Sequence, residues 1–397
     1  MKSIKSVYKI GHGPSSSHTV GPFRAAKWFR ARFPQADGFR VTLYGSLALT
    51  GEGHGTYKAI KAVLPEAEIV FDRETTDLPH PNTMRFEAFC GGEKAGEETV
   101  LSVGGGSLHI QGSSDGEDPE VYSQEHLSDI IAVCKEEGIG LAEFIYKSEA
   151  EDIHEYLRTV WRAMQDAVER GLQAEGVLPG GLGVTRKAKM LLTERSYHET
   201  QDVASNRMIA SYAYAVMEEN ADEHVVVTAP TCGSCGVLPS VLYYMQHTCG
   251  YPENEILDAL AVAGLVGNII RTNASISGAE CGCQAEIGSA CSMTAAAYAL
   301  LRGLNIDQIE YAAEIAMEHN LGLTCDPVQG LVQIPCIERN AVAAMTAMTS
   351  TNLARFLYRT RKISFDNVVE TMYRTGLDMD RRYKETSHGG LAAIYRA

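Results

Sequence analysis

The chain is short of basic residues and of long apolar runs. It has 35 lysines and arginines against 50 acidic residues, a formal net charge of −15. Nucleic acids and anionic membranes need a basic face that displaces counterions, so we exclude both as partners, although a local basic pocket for a small carboxylate remains compatible. No run approaches the roughly 18 apolar residues that span a bilayer. The opening stretch MKSIKSVYKIGHG also lacks the apolar segment of a secretion signal, so we expect a cytoplasmic protein.

The cysteines lack the spacing of a zinc ribbon or a disulfide framework. Ten cysteines in 397 residues without an export signal favour reduced thiols, some of them metal ligands. Cys232 and Cys235 form a CxxC turn, but a zinc site needs a second such pair, and Cys281 with Cys283 is only CxC. No βαβ pattern surrounds Cys232, which argues against a thioredoxin-like motif. We interpret this CxxC as a tight turn that faces substrate.

Three other cysteines lie beside turn-forming or polar residues. They are Cys283 in GAECGCQAE, Cys325 in LTCDPV and Cys336 in QIPCIERN, with 41 residues between the first two and 10 between the last two. Three soft thiolates would hold an iron–sulfur cluster and leave one iron without a protein ligand. Such an iron is a Lewis acid. Cys291, in the helical pattern SACSMTAAA, is interpreted instead as a small core residue.

The hydrophobic pattern changes about a third of the way along the chain. Up to about residue 110, β-type runs (FRVTLYGSLAL, AEIVFD, TMRFEAF, TVLSVGGG) accompany one helix, VGPFRAAKWFRARF. A polar, acidic linker or surface loop is predicted over 111–124. Helical spacing dominates from 126 onward, in segments so rich in Ala and Gly that burial on all sides is expected. We therefore predict a two-domain α+β protein, with a small α/β domain over 1–125 and a predominantly α-helical domain over 126–397.

Two loops of the first domain carry candidate catalytic histidines. The first, GHGPSSSHTVGP, contains Ser15, Ser16, Ser17, His18 and Thr19 just before the predicted helix. Backbone amides at a helix start, together with hydroxyls, suit a carboxylate or phosphate. The second loop, YGSLALTGEGHGT, places His54 between two glycines, which allow close approach to a ligand and suit a general base. A serine-rich cap with a surface histidine, and an ordinary loop histidine, are the structural alternatives.

The segment NASISGAECGCQAEIGSACSM concentrates small polar side chains inside an alanine-rich helical region. Such groups must find partners or a ligand when they are buried. We take Asn273 and Ser275 as candidate substrate-binding residues. No lysine lies in the glycine- or serine-rich setting that is usual for a Schiff base, since Lys187 and Lys189 belong to a basic helical run, so we expect no pyridoxal phosphate.

Eight motifs together resemble the bacterial iron–sulfur L-serine dehydratases (L-serine ammonia-lyases), in the form that carries both domains on one chain. They are GPSSSHTVGP, YGSLALTGEGHGT, SVGGG, EGVLPGGL, TAPTCGSCGVLP, NASISGAECGCQAEIGSACSM, MEHNLGLTCDPVQGLVQIPCIERNAV and ETMYRTGLDM with YKETSHGGLA. The resemblance implies that Cys283, Cys325 and Cys336 bind a [4Fe-4S] cluster. It also implies that the small domain is similar to the allosteric substrate-binding domain of a phosphoglycerate dehydrogenase, and that the protein is a homodimer.

By the same resemblance the protein converts L-serine to pyruvate and ammonia, a step of amino-acid degradation that can feed gluconeogenesis. The open iron would act as a Lewis acid on the β-hydroxyl, and His54 would take the α-proton. His18, with Ser15 to Ser17 and Thr19, would hold the carboxylate. L-cysteine or L-threonine as substrate, and a non-catalytic amino-acid sensor, are the alternatives.

The chain departs from the family pattern at three places. Cys232 stands where the family commonly has Asn in APTNGA, and Cys281 stands in a motif that usually reads EVGC. No cysteine follows Cys336, whereas similar single-chain members end in a cysteine that can occupy the fourth iron. The first two changes bear on substrate selectivity. The third implies that water or another thiol occupies the fourth iron until serine arrives.

Overall fold

A mixed β-sheet precedes a helical body in the computed structural model, which describes residues 1–110, 119–195 and 197–395. This architecture confirms the predicted α+β class. The predicted polar linker over 111–124 lies outside the described residues at 111–118. Its remainder packs on the N-terminus, where the backbone N–H groups of Val121 and Tyr122 both donate to the carbonyl of Met1.

The sheet of the small domain has five strands in the order β3-β2-β4-β5-β6. The elements up to residue 110 are β1 (Ile10–His12), α1 (Gly21–Arg32), β2 (Gly38–Tyr44), α2 (Gly45–Thr50), α3 (Thr56–Lys61), β3 (Glu68–Asp72), β4 (Thr83–Cys90), β5 (Glu93–Ser102) and β6 (Leu108–Ile110). β2 and β3 pair in parallel, and the other neighbours of this sheet are antiparallel. Phe29 of α1 packs on Phe86 of β4 and anchors the core of this domain.

One predicted strand is shorter than expected. In FRVTLYGSLAL the strand ends at Tyr44, and GSLAL begins α2. Gly45 has φ +53°, a conformation that a residue with a side chain rarely adopts, so the chain turns here from strand to helix. The turn directs the loop that carries His54 toward the helical body.

The helical body contains thirteen α-helices and one strand within the described residues. They are α4 (Leu127–Glu137), α5 (Leu141–Ser148), α6 (Ile153–Gln173), α7 (Ala188–Thr193), α8 (Gln201–Ala221), β7 (Val225–Val227), α9 (Val237–His247), α10 (Glu253–Asn273), α11 (Gly278–Cys281), α12 (Ser289–Leu301), α13 (Ile306–Glu318), α14 (Cys336–Leu357), α15 (Phe365–Asp378) and α16 (Gly390–Ile394). The central helix α12 packs against α10, α13 and α14 and is buried along nearly its whole length, as its small residues predict. None of the described helices has both the length and the apolar content of a bilayer span.

The first twelve residues pack against the helical body. β1 pairs antiparallel with β7, and Ile10 lies opposite Val227. Ile4 and Tyr8 are fully buried in the helical core, and the Tyr8 hydroxyl donates to the Leu260 carbonyl at 2.7 Å. The sheet ends at Ile110 and the helices begin at Leu127. The first residues of the chain therefore belong to the helical body, the following residues form the sheet domain, and the rest of the chain forms the remainder of the helical body.

Candidate active site

The two histidine loops lie side by side. Residues Ser16–Val20 form a π-helical turn that runs into α1, and the Ser15 hydroxyl caps it by accepting from the His18 N–H at 3.1 Å. The Thr19 hydroxyl donates to the His54 carbonyl at 2.8 Å, which ties the loops together. The two imidazole rings are 4.5 Å apart between centroids. Both side chains are buried, so neither is a surface histidine.

Hydroxyl groups hold the His18 ring on both sides. Its Nδ1 lies 2.9 Å from the Ser17 hydroxyl, and its Nε2 lies 3.0 Å from the Thr50 hydroxyl and 3.1 Å from that of Ser46. Burial, and then the neighbouring His54, lower the pKa of His18 well below its ordinary value. His18 is therefore a neutral, oriented imidazole at neutral pH.

His54 has no hydrogen-bond partner for either ring nitrogen within the described part of the chain, although it is fully buried. Burial lowers the pKa of His54 to about 4. Its neighbour Gly53 is tightly packed, because a Cβ there would lie 3.0 Å from the carbonyl oxygen of Gln329 and 3.1 Å from that of Gly330. A buried, neutral imidazole without partners can accept a proton and requires a ligand to satisfy it.

The carboxylate of Glu385 lies beside both histidines. Its Oε1 is 3.5 Å from Nδ1 of His18 and 4.0 Å from Nε2 of His54. The Glu385 N–H donates to the Cys325 carbonyl at 2.8 Å, and the residue has φ +56°. Burial, and then the nearby Glu286 and Cys283, raise the pKa of Glu385 well above its ordinary value. Glu385 was missed in the sequence, although it is the lone acidic residue of the motif YKETSHGGLA, which was the available signal.

The three cysteines singled out above are all buried in the helical body. Ligand atoms of Cys283, Cys325 and Glu286 lie within 4.8 Å of one another, and the charge of Cys283 acts on Cys336. A hydrogen bond from the Cys325 thiol, aided by the charge of Arg339, lowers the pKa of Cys283 against the opposing effect of burial. That hydrogen bond and burial raise the pKa of Cys325, while burial and the charge on Cys283 raise the pKa of Cys336. Cys336 is the first residue of α14 and not part of a turn as expected. These surroundings favour the thiolate form at Cys283 and disfavour it at Cys325 and Cys336.

Arg339 and Glu286 complete the surroundings of these cysteines, and both were missed in the sequence. Arg339 donates to the Thr324 carbonyl at 2.6 Å and to Asp326 at 3.1 Å, which aims its charge at the thiols. Glu286 approaches the Cys325 sulfur at 3.9 Å. Each lies three residues after a candidate cysteine, a spacing that places side chains on one face of a helical segment. That spacing was the available signal.

Four further buried cysteines of the helical body have different surroundings. The thiol of Cys291 donates to the Ala343 carbonyl at 3.3 Å, and burial raises its pKa to about 12, in agreement with a core role. Burial and Glu286 raise the pKa of Cys232, and the Cys235 sulfur lies 3.7 Å from that of Met217. Burial and Glu280 raise the pKa of Cys281 to about 12. These four thiols stay protonated at neutral pH.

The two candidate residues from the NASIS segment lie apart from each other. The Asn273 amide donates to the carbonyls of Glu125 at 2.7 Å and Ile269 at 3.0 Å, which closes the end of α10. The Ser275 hydroxyl donates to Glu280 at 2.6 Å. Ser275 therefore lies next to a carboxylate that borders the domain interface, whereas Asn273 has its amide engaged by backbone.

A cavity of about 430 Å³ lies between the sheet domain and the helical body. Its lining includes Ser46 from one side and Glu280, Lys384 and Thr386 from the other. The Ser46 hydroxyl also contacts the His18 ring and donates to the carbonyl of Glu385 at 3.1 Å. His18 thus lies behind Ser46, one of the residues that line this cavity, which is large enough for a small amino acid.

Two family models match the chain, the serine dehydratase beta chain over residues 3–68 and the serine dehydratase alpha chain over residues 60–392. The chain belongs to the serine dehydratase family. This family is of the iron–sulfur type and not of the pyridoxal-phosphate type.

Curated relatives match over essentially the full length. L-serine dehydratase 2 of Escherichia coli strain K12 is 41% identical, with 99% of this chain and 98% of the relative covered. The L-serine dehydratase of Streptomyces coelicolor is 41% identical over 98% of both chains. That of Helicobacter pylori strain 26695 is 38% identical, again over 98% of both. The similarity therefore includes both the sheet domain and the helical body.

The convergent cysteines fit the donor set of an iron–sulfur cluster. Three buried sulfurs come from separate segments, and thiolates are the ligands that such clusters require. Arg339 supplies a positive charge beside them. Cys283, Cys325 and Cys336 could therefore hold the group, next to the carboxylate of Glu385 and the histidine pair behind it.

Proposed function

We propose that this protein is an L-serine ammonia-lyase that converts L-serine to pyruvate and ammonia. The observation that carries the proposal is His54, a buried imidazole whose ring nitrogens have no hydrogen-bond partner among the described residues, in a serine dehydratase fold. Glu385 is near both this ring and the cysteines, since its Oε1 lies 4.0 Å from His54 Nε2 and the charge of Cys283 acts on it. Full-length similarity to proteins named L-serine dehydratase supports the substrate. The interface cavity supplies a place for a small amino acid.

His54 is the proposed general base. Its lowered pKa keeps the ring neutral, and its unpartnered Nε2 is available to accept the α-proton of serine. Once protonated, the ring would lie 4.0 Å from the Glu385 carboxylate, which stabilises the positive charge. The resulting aminoacrylate tautomerises to an imine and hydrolyses to pyruvate and ammonia.

The serine-rich loop is the proposed carboxylate site. The hydroxyls of Ser15 and Ser17 lie beside the His18 ring, the Thr19 hydroxyl bonds to the His54 carbonyl, and Ser16 lies in the same turn. A substrate carboxylate held there would place the α-carbon between this loop and His54. We also propose Ser275 and Asn273 as substrate contacts. Ser275 lies beside Glu280 at the cavity, and Asn273 lies at the end of α10.

We also propose that Cys283, Cys325 and Cys336 hold a [4Fe-4S] cluster, and that no pyridoxal phosphate takes part. When bound, the cluster supplies a Lewis acid that makes the β-hydroxyl a better leaving group. Arg339 offsets the negative charge of the thiolates and, through Thr324 and Asp326, fixes the segment that carries Cys325. Cys232 and Cys281 lie in neighbouring segments and are not proposed as cluster ligands. Water or another thiol would bind the fourth iron, which has no ligand among the three cysteines.

The resemblance of the motifs to single-chain members supports the remaining proposals. They are a homodimer, a cytoplasmic location, a domain boundary near residue 125, and a role in amino-acid degradation that feeds gluconeogenesis. The small domain contributes His18 and His54 to the site, so any effector that displaced it would alter turnover.

One observation keeps L-cysteine and L-threonine as alternative substrates. Cys232, where related sequences have Asn, is buried next to Glu286 and changes the polarity near the cysteines. Ammonia release from serine, threonine and cysteine by the anaerobically purified protein, with iron and sulfide quantified in the same sample, tests the choice. We expect serine to be fastest. Faster turnover of cysteine would overturn the substrate, and a colourless, iron-free, inactive protein would indicate an amino-acid sensor.

A further inference from the structure

Glu385 is a buried carboxylate that the reaction described so far leaves without a binding role. Its side chain is 7% exposed, and the backbone N–H of Ala279 donates a hydrogen bond to it. No lysine or arginine pairs with it in the described part of the chain. A buried carboxyl group with no lysine or arginine beside it is available to pair with a positively charged ligand.

We propose that Glu385 binds the α-ammonium group of the amino-acid substrate, an inference that rests on the proposed function. The ammonium nitrogen is attached to the same carbon from which His54 takes the proton. The group that holds the nitrogen must therefore lie close to the base. Glu385 meets this condition, since its Oε1 lies 3.5 Å from Nδ1 of His18 and 4.0 Å from Nε2 of His54.

The separation of the two side chains agrees with this arrangement. A reacting base lies about 3–3.5 Å from the carbon that it deprotonates. The ammonium nitrogen is about 1.5 Å from that carbon and about 2.7–2.9 Å from a carboxylate oxygen that it contacts. A base nitrogen and a carboxylate oxygen that lie roughly 4–6 Å apart can therefore contact the α-carbon and the ammonium nitrogen of one substrate molecule at the same time. The observed distance from His54 Nε2 to Glu385 Oε1 is 4.0 Å.

Glu286, the second buried carboxylate nearby, fits this role less well. It already accepts from Thr231 and lies beside the Cys325 sulfur, and the charge of Arg339 acts on it. Glu385 has no such cation and faces the imidazole whose nitrogens have no partner in the described residues. The positive ligand is therefore assigned to Glu385.

A divalent metal is the competing occupant. One ligand atom each from His18, His54 and Glu385 lie within 4.8 Å of one another, as in a three-ligand metal site. However, both ring nitrogens of His18 already lie at hydrogen-bond distance from hydroxyls. Only His54 and Glu385 remain free to coordinate, and two ligands are few for a dedicated metal site.

The test compares L-alanine with L-lactate, which differ by an ammonium group against a hydroxyl and have no β-hydroxyl to eliminate. Calorimetric titration of the anaerobic holoenzyme should show L-alanine binding at least about 10-fold more tightly than L-lactate. In Glu385→Gln we expect the affinity for L-alanine to fall about 10- to 100-fold and that for L-lactate by less than about 3-fold, because only the former loses a charge-assisted hydrogen bond. Glu385→Asp should restore part of the preference for L-alanine.

Glu52→Gln is the matched control, since Glu52 is an exposed carboxylate two residues from His54 that pairs with Arg73; it should change neither affinity. Equal loss of both ligands in Glu385→Gln, with or without loss of iron, would assign Glu385 a structural role and overturn the inference. So would equal binding of the two ligands by the wild-type protein. Binding of Mn²⁺ that requires Glu385, without discrimination between the two ligands, would replace the ammonium with a metal. A wild-type protein that discriminates through Glu385 but releases no ammonia from serine would contradict the proposed function alone.

Discussion

Nε2 of His54 lies 4.0 Å from Oε1 of Glu385, although the two residues belong to opposite ends of the chain. The sheet domain supplies the first and the segment after α15 supplies the second. The candidate active site therefore draws on both the small domain and the helical body. Replacements in the small domain and in the helical body should both lower turnover, but only those of the three cysteines should remove iron.

Replacing Cys283, Cys325 or Cys336 by alanine, one at a time, should abolish iron binding. Each supplies one of three convergent thiols, and a cluster with a further missing ligand is not held. Iron and acid-labile sulfide per chain measure the outcome after anaerobic purification. Cys291→Ala is the matched control, because its buried thiol bonds to a helix carbonyl and should leave iron unchanged. Equal iron loss in all four variants would refute the ligand assignment.

Replacing His54 by alanine should leave iron intact and lower kcat for serine by about 10²- to 10⁴-fold, the usual contribution of a general base. Steady-state ammonia release and iron content, measured on the same preparation, separate the two effects. His126→Ala removes an exposed histidine at the start of α4 and should match the wild type. Normal turnover in His54→Ala would exclude His54 as the base.

The pH profile should carry the signature of a buried imidazole. Burial lowers the pKa of His54 to about 4, so the neutral form that accepts a proton is present above that pH and is lost as the pH falls through it. The acid limb of kcat/KM contributed by His54 should lie well below the 6.5 of an ordinary histidine. Iron content at each pH controls for acid loss of the cluster. An acid limb near 6.5 with full iron content would contradict this environment for the base.

The same lowered pKa also affects stability. Between pH of about 6.5, where an unfolded histidine titrates, and about 4, the unfolded chain binds a proton that folded His54 does not. This contribution to the free energy of unfolding is therefore complete above pH 6.5 and falls as the pH is lowered through that window. Replacing His54 by glutamine should make unfolding by urea less sensitive to pH between 4 and 6.5. An unchanged pH dependence would contradict a buried, neutral His54.

Glu314→Gln should stabilise the protein at pH 8. Burial, then Glu318, raise the pKa of Glu314 to about 7, and its Oε2 has no partner among the described residues. Because the folded state keeps a proton that the unfolded chain releases near pH 4.5, stability falls as the pH rises from there through 7. We expect a gain of about 1–2 kcal/mol in the free energy of unfolding at pH 8 and little gain at pH 5.

Urea unfolding of iron-matched samples at the two pH values measures the effect of Glu314→Gln. Glu255→Gln, an exposed change near the start of α10, is the control and should give no gain at either pH. A gain at pH 5 as large as that at pH 8 would show that ionisation of Glu314 is not the cause.

Local patterns in the sequence were enough to locate most elements of the fold. The runs around Val41, Ile69 and Phe86 form β2, β3 and β4, and the alanine-rich segments form α10, α12 and α14. Helix α8 shows little periodicity, because its last turns mix Glu218, Glu219 and Asn220 with apolar residues. Distant segments provide the partners of these buried groups, as in the ion pair of Arg186 with Glu219 at 2.9 Å and the hydrogen bond from Asn220 to the Pro14 carbonyl at 2.9 Å.

By itself, the sequence determined the residue types that carry the chemistry: three cysteines in polar segments and two histidines in loops of glycine and serine. Short-range patterns record such features because backbone conformation and capping depend on neighbours in the chain. Only the tertiary structure decided that Glu385 lies beside His54, that Arg339 faces the cysteines, and that the first twelve residues belong to the helical body. These contacts depend on how distant segments pack around a shared core, and no local pattern encodes that packing.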